Sequence, residues 1–187
     1  MMPMPPEPDL ATLSLTQVAQ ALAQRRLPPV DSWNPSHCGD SEMRIARDGK
    51  WYHQGAPITR AAMVRLFATI LRREADGRFV LVTPGEKLDI IVEDAPFIAV
   101  EVKSEGTHDA RRLAFRLNTD ELVVAGQGHA IRFDEHAGEP HPLLHVRGGL
   151  DALIARSVYY ELVDLALAEA AEPPGLWSDG AFFPLAA

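Results

Sequence analysis

A chain of 187 residues with 47% hydrophobic and 24% charged side chains can bury a core without staples, and this composition excludes wholesale disorder and low-complexity fibres. Eighteen Lys and Arg against 26 Asp and Glu leave a net charge of −8, which argues against gripping long nucleic acid through a broad basic face. A small anion in a local basic pocket stays open, and the single cysteine, Cys38, rules out an internal disulfide or a Cys-based zinc knuckle.

The opening Met-Met-Pro-Met-Pro-Pro-Glu-Pro lacks the basic start and apolar run of a signal peptide, and no segment reaches the ~18 apolar residues that span a bilayer. These features predict a cytoplasmic protein with no membrane partner. A Pro-rich disordered lead, counted as residues 1–15, precedes a helix over 16–26 with Val18, Ala19, Leu22 and Ala23 at helical spacing. Residues 43–47 and 50–53 flank Asp48-Gly49 as a tight hairpin. Pro57 and Thr59 then open a helix carrying Met63, Leu66, Phe67, Ile70 and Leu71, with Thr59 as its expected N-cap and Arg72 and Arg73 in its last turn before Asp76-Gly77.

From Arg78 the period changes to two. Seven short β-type runs follow, at 79–83, 88–93, 97–103, 112–118, 122–125, 130–133 and 143–147, and a helix is expected from about 150 to 171. Leu113, Phe115 and Leu117 alternate with Arg112, Ala114, Arg116 and Asn118, the pattern of an antiparallel sheet with one wet face. The reading is an α+β fold: an N-terminal helix–hairpin–helix domain over 16–76, a C-terminal antiparallel sheet or partial barrel closed by a helix over 77–172, and a tail over 173–187. In that tail Trp177, Phe182 and Phe183 would cover apolar surface beyond Pro173-Pro174. Charge changes at the same boundary, with 9 basic and 7 acidic side chains before Asp76 and 9 and 19 from there on.

Shifting the chain by 96 positions aligns Ile58-Thr59-Arg60 with Ile154-Ala155-Arg156 and Leu66-Phe67 with Leu162-Val163, a short internal echo that two ordinary helices could also produce. Each copy sets an arginine at a helix start, against the helix dipole, where free N–H groups attract anions. The arginines could grip a phosphate or carboxylate, or each could simply pair with a nearby acidic side chain.

Several stretches carry a family resemblance. Trp51-Tyr52-His53-Gln54-Gly55-Ala56-Pro57-Ile58-Thr59-Arg60, Leu66-Phe67, Leu81-Val82-Thr83-Pro84-Gly85-Glu86-Lys87, Val92-Glu93-Asp94-Ala95-Pro96-Phe97 and Val146-Arg147-Gly148-Gly149-Leu150-Asp151-Ala152 through Arg156 to Tyr160 resemble, in order, the motifs of the domain-of-unknown-function 1285 family. The resemblance spans roughly residues 30 to 170, with Gly85 and Ser157 as departures at a turn and a helix start. It implies a core made by duplication, a C-terminal domain loosely like a pleckstrin-homology fold, a nucleotide-like ligand at the junction of the halves and a signalling role. It implies no catalytic residues and no cofactor.

Other constellations read more plainly. Lys87, one of three lysines, sits in a turn and could act as a point charge for phosphate. Glu93, Asp94 and Glu101 find no nucleophile or base at a usable spacing. His136, His141 and His145 lie among Gly138, Glu139, Pro140 and Pro142, which favours a loop of solvated histidines over zinc. Gly126-Gln127-Gly128 lacks the glycine and lysine of a phosphate loop and reads as a hairpin turn, and Cys38 beside His37 reads as incidental. Trp51, His53, Tyr159 and Tyr160 could stack an organic ring or pack in the core. The sequence therefore predicts a non-enzymatic module for a small phosphorylated or nucleotide-like ligand, with Arg60 and Arg156 on the anion, Arg147 and Lys87 adding charge, and Trp51 or Tyr160 against the organic part. The alternative is a protein-interaction adaptor with structural arginines; a hydrolase has least support.

Overall fold

Ser14 starts the first helix, and it does so by a reciprocal cap: Gln17 N–H donates to Ser14 Oγ at 3.2 Å, while Ser14 N–H donates to Gln17 Oε1 at 2.8 Å. In the computed structural model, which describes residues 10–186, this helix is α1 (Leu15–Gln24). The expected lead falls partly outside the described residues. From Leu10 on it is ordered, with Leu10, Leu15 and Val18 buried against Ala114.

The first sheet comprises β1 (Cys38–Ile45), β2 (Trp51–His53) and β3 (Ala56–Pro57), then α2 (Ala61–Thr69), then β4 (Leu71–Arg73), β5 (Phe79–Val82) and β6 (Lys87–Val92). The second comprises β7 (Phe97–Glu105), β8 (Arg112–Leu117), β9 (Leu122–Val124), β10 (Ile131–His136), β11 (Glu139–Arg147) and β12 (Leu150–Ile154). A final helix, α3 (Arg156–Glu169), and a hairpin of β13 (Gly175–Ser178) and β14 (Ala181–Pro184) complete the chain.

The two sheets share one topology. In the first, two antiparallel three-stranded meanders join through a parallel pairing of β1 with β6, giving the order β3-β2-β1-β6-β5-β4. In the second, the order β10-β11-β12-β7-β8-β9 repeats that plan, with β7 parallel to β12. Duplication is thus written in the connectivity, but not in the register of the 96-residue echo. The strand starting at Cys38 corresponds to the one starting at Phe97, whereas α2 lies between two meanders and α3 lies after both. The second sheet is also mixed rather than antiparallel, because its two outer meanders meet through parallel strands.

Four expected boundaries move. The helix over 59–76 ends at Thr69, and Leu71–Arg73 pairs with Phe79–Leu81. Leu71 is buried in either conformation, so its spacing could not separate the two. Thr59 gives way to Arg60 as the N-cap, with no side-chain cap bond. The helix expected from 150 begins at Arg156, because Leu150, Ala152 and Ile154 alternate inward on a strand beside β11 and β7. The chain passes from one sheet to the other between Val92 and Phe97, beyond the boundary drawn at Asp76, and α1 lies against β8 and β9 of the second sheet rather than within the first.

A flat six-stranded sheet would hold its outer strands about 24 Å apart. Yet β9 and β10, the outer strands of the second sheet, are joined only by residues 125–130, folded back by mutual Gly126 and His129 backbone bonds of 3.0 and 3.1 Å. The sheet must therefore curl, as the sequence suggested. In the first sheet the same link, from β3 to β4, contains α2. One core runs through both halves, with Ile45, Trp51 and Leu71 from the first, Phe97, Phe115 and Leu144 from the second, and Leu162, Leu176 and Phe183 from the closing elements. Each large side chain buried there contributes about 1.5–3 kcal/mol.

Candidate ligand cleft at the junction of the two sheets

The turn after β8, Asn118–Glu121, is where the halves meet. Asn118 Oδ1 accepts from Ile98 N–H at 3.0 Å in the second sheet, and Asn118 Nδ2 donates to Gly49 O at 3.3 Å in the first. Two clefts open on either side of Arg65, Thr119 and Asp120. One, of about 480 Å³, lies between α1, α2 and the turn, with Leu22, Ala62 and Leu66 on its apolar wall. The other, of about 540 Å³, lies between β2, the start of α2 and Asn118–Asp120, with Trp51, Pro57 and Val64 on its wall.

The first cleft is charged along one side. Glu121, 8% exposed, forms an ion pair with Arg25 Nη1 at 2.9 Å and accepts from Arg147 Nη1, and Arg147 Nη2 donates to Ala68 O at 3.0 Å near the end of α2. The Arg147 guanidinium also lies 5.4 Å over the Phe97 ring. Asp120 accepts from Arg65 Nη1 at 3.1 Å and Arg116 Nη1 at 3.2 Å, and Arg116 Nε donates to Glu101 at 2.8 Å. The Glu101 hydrogen bond holds the Arg116 guanidinium above its usual range against the opposing effect of burial. Four arginines face three carboxylates, so the junction carries local positive charge in a chain of net charge −8.

Of the residues expected at a site, three lie at this junction. Arg147 is in the arginine cluster. Trp51, 2% exposed, stacks on Phe67 at 6.4 Å and walls the second cleft. Arg60 caps α2 between Thr59 and Ala61, both of which line that cleft; it is exposed and has no acidic partner among the described residues. The other three lie elsewhere. Lys87 is on β6 with Nζ 4.0 Å from Glu74, Arg156 opens α3, exposed and without an acidic partner among the described residues, and Tyr160 is 56% exposed beside Tyr159. None of them lines the two clefts. Sequence reasoning missed Arg25, Arg65, Thr119, Asp120 and Glu121. The last three signalled only a polar Asn-Thr-Asp-Glu turn between two strands, and Arg25 and Arg65 are ordinary helix arginines in the sequence.

The remaining constellations are taken up by neighbours. Glu93 accepts from Arg47 N–H at 3.0 Å and Arg44 Nη1 at 2.6 Å, bonds that hold its carboxyl below the usual range. Asp94 pairs with His141 at 2.8 Å, His145 with Asp151 at 3.1 Å, and the His136 ring lies 5.6 Å from His141. Among the described residues no three such side chains are grouped to hold a metal, and no helix is long and apolar enough to cross a membrane. Cys38 is exposed at the start of β1.

Comparison with known proteins agrees with this division. Residues 28–95 match the N-terminal domain, and residues 96–185 the C-terminal domain, of the domain of unknown function DUF1285. The break at 95 and 96 falls where the chain changes sheets. The crystal structure of a DUF1285 family protein from Silicibacter pomeroyi DSS-3 is similar with a TM-score of 0.79 and 49% identity, over 93% of this chain and 95% of that one. One from Shewanella baltica OS155 is similar with a TM-score of 0.54 and 26% identity, over 69% of this chain and 96% of that one. None of the curated proteins matches the chain. With both family domains matched in order, and 49% identity to a solved member over 93% of the chain, the chain belongs to the DUF1285 family.

Proposed function

We propose that the protein is a cytoplasmic, non-enzymatic module that binds a small phosphorylated or nucleotide-like molecule at the junction of its halves, in a signalling role. The observation that carries this reading is the arginine excess beside an apolar cleft, with Arg25, Arg65 and Arg147 around Asp120 and Glu121. A phosphate would compete with Glu121 for Arg25 and Arg147, and Arg60 would add charge from the start of α2. Apolar walls suit the organic part of such a ligand. The six strands of the second half followed by α3 support describing that half as loosely pleckstrin-homology-like.

A thermal-shift screen against nucleotides, cyclic dinucleotides and sugar phosphates tests the reading. At ~100 times its dissociation constant a ligand adds about 2.7 kcal/mol, which raises the midpoint by about 5 to 10 °C in a chain of this size. The Arg25→Ala and Arg60→Ala variants should lose that shift, and Arg156→Ala should keep it. No shift across the panel overturns the reading and favours a protein-binding adaptor, for which Met63 and Leu66, exposed on α2, are the first surface to probe.

A further inference from the structure

Buried polar side chains almost always find partners, so those that do not are informative. Among the described residues three buried side-chain nitrogen or oxygen atoms lack one: Trp51 Nε1, Arg65 Nε and Thr119 Oγ1. They belong to three distant parts of the chain, β2, α2 and the turn after β8, yet all three residues line the second cleft. Trp51 is 2% exposed and Thr119 6% exposed, so bulk water does not serve them.

Their chemistry is one-sided. The indole and guanidinium N–H groups only donate, and the threonine hydroxyl can donate as well. The charge of Arg65 is already matched by Asp120 at 3.1 Å, and both ends of the neighbouring Asn118 amide are spent on Ile98 and Gly49. What the three buried atoms lack is therefore an acceptor rather than a counter-ion; the cations left at the cleft are at its rim, where Lys50 pairs with Asp48 at 3.6 Å and Arg60 is exposed at the start of α2. We infer that this cleft takes a neutral, planar, carbonyl-bearing group of amide type, received by Trp51, Arg65 and Thr119. The inference deepens the binding reading above and rests on it, dividing one ligand between the arginine cluster of the first cleft and the unmet donors of the second. Ala61, Val64 and Arg65 of α2 wall the second cleft and Phe67 of the same helix stacks on Trp51 at 6.4 Å, so an occupant reaches the three donors by displacing part of α2.

The test uses Trp51 as its own reporter, in a Trp33→Phe and Trp177→Phe background. Uracil, hypoxanthine and nicotinamide serve as neutral carbonyl probes, and inorganic phosphate and pyrophosphate as anion probes. At least one neutral probe should change Trp51 emission saturably. Thr119→Val should weaken that probe about tenfold, and Thr119→Ser should restore it. Neutral probes that leave emission unchanged, or an undiminished affinity in Thr119→Val, overturn the inference. If nucleotides still shift the thermal midpoint in that case, the anion reading survives alone; if they do not, both fall.

Discussion

Gly49 shows how much a single residue carries at the junction. It sits at φ +86°, and an added Cβ would lie 2.7 Å from both Asn118 Nδ2 and Ile98 Cγ1. Any side chain there meets an unfavourable backbone conformation and pushes on the amide that ties the two halves together. Gly49→Ala should cost about 1–3 kcal/mol, read as a lower urea midpoint; an unchanged midpoint would mean that the latch is not tight. The hairpin at Asp48-Gly49 was legible because turn chemistry is local. Its bond to Asn118, 69 positions away, was not, since nothing in either segment names the other. The same limit explains the site. Arg60, Trp51 and Arg147 drew notice through their motifs, but Arg25 and Glu121 acquire meaning only when α1 is laid beside the turn after β8.

At the scale of elements, α3 is held by a pair the sequence did not mark. Glu169, in the last turn, accepts from His108 N–H at 2.8 Å and from the Arg111 guanidinium, and both side chains are 7% exposed. Burial pushes the Glu169 carboxyl up, but these bonds outweigh it and hold the group below its ordinary value of 4.5. A depressed carboxyl stabilises the fold above 4.5 and loses that contribution as pH falls through the lower folded value. Glu169→Gln should therefore unfold about 1–3 kcal/mol more easily at pH 7, and the gap should narrow as the medium is acidified below 4.5. A gap independent of pH would show that the charge is not what matters. Helix and strand types were legible where a period was sustained, as in β8. They failed where a strand abutted a helix, at Leu71 and at Leu150–Ile154, because a few apolar residues satisfy either period.

For the whole molecule, the expected apolar tail is a structural part. Leu176 is fully buried, Phe183 is 6% exposed, and Ser178 Oγ accepts from Leu113 N–H at 2.9 Å while donating to Ala125 O at 2.7 Å. A chain ended after Ala171 should lose near-ultraviolet circular dichroism and bind a hydrophobic dye, since the second sheet would be opened at Phe115 and Leu113. Retention of native spectra would make the hairpin dispensable. The change of period near Asp76 was a true sequence signal. It fell inside the first sheet's second meander, at the turn between β4 and β5, rather than at the change of sheet, because strand order depends on the parallel pairs β1–β6 and β7–β12, which no local pattern announces.

The two halves differ at one joint: the second crosses between its outer strands by a tight turn, and the first crosses by α2. That difference makes the molecule uneven in compliance. The second half closes on itself through a turn, while in the first a nine-residue helix walls the second cleft. An occupant of the proposed site would therefore be felt first by α2, the helix on which Met63 and Leu66 are exposed.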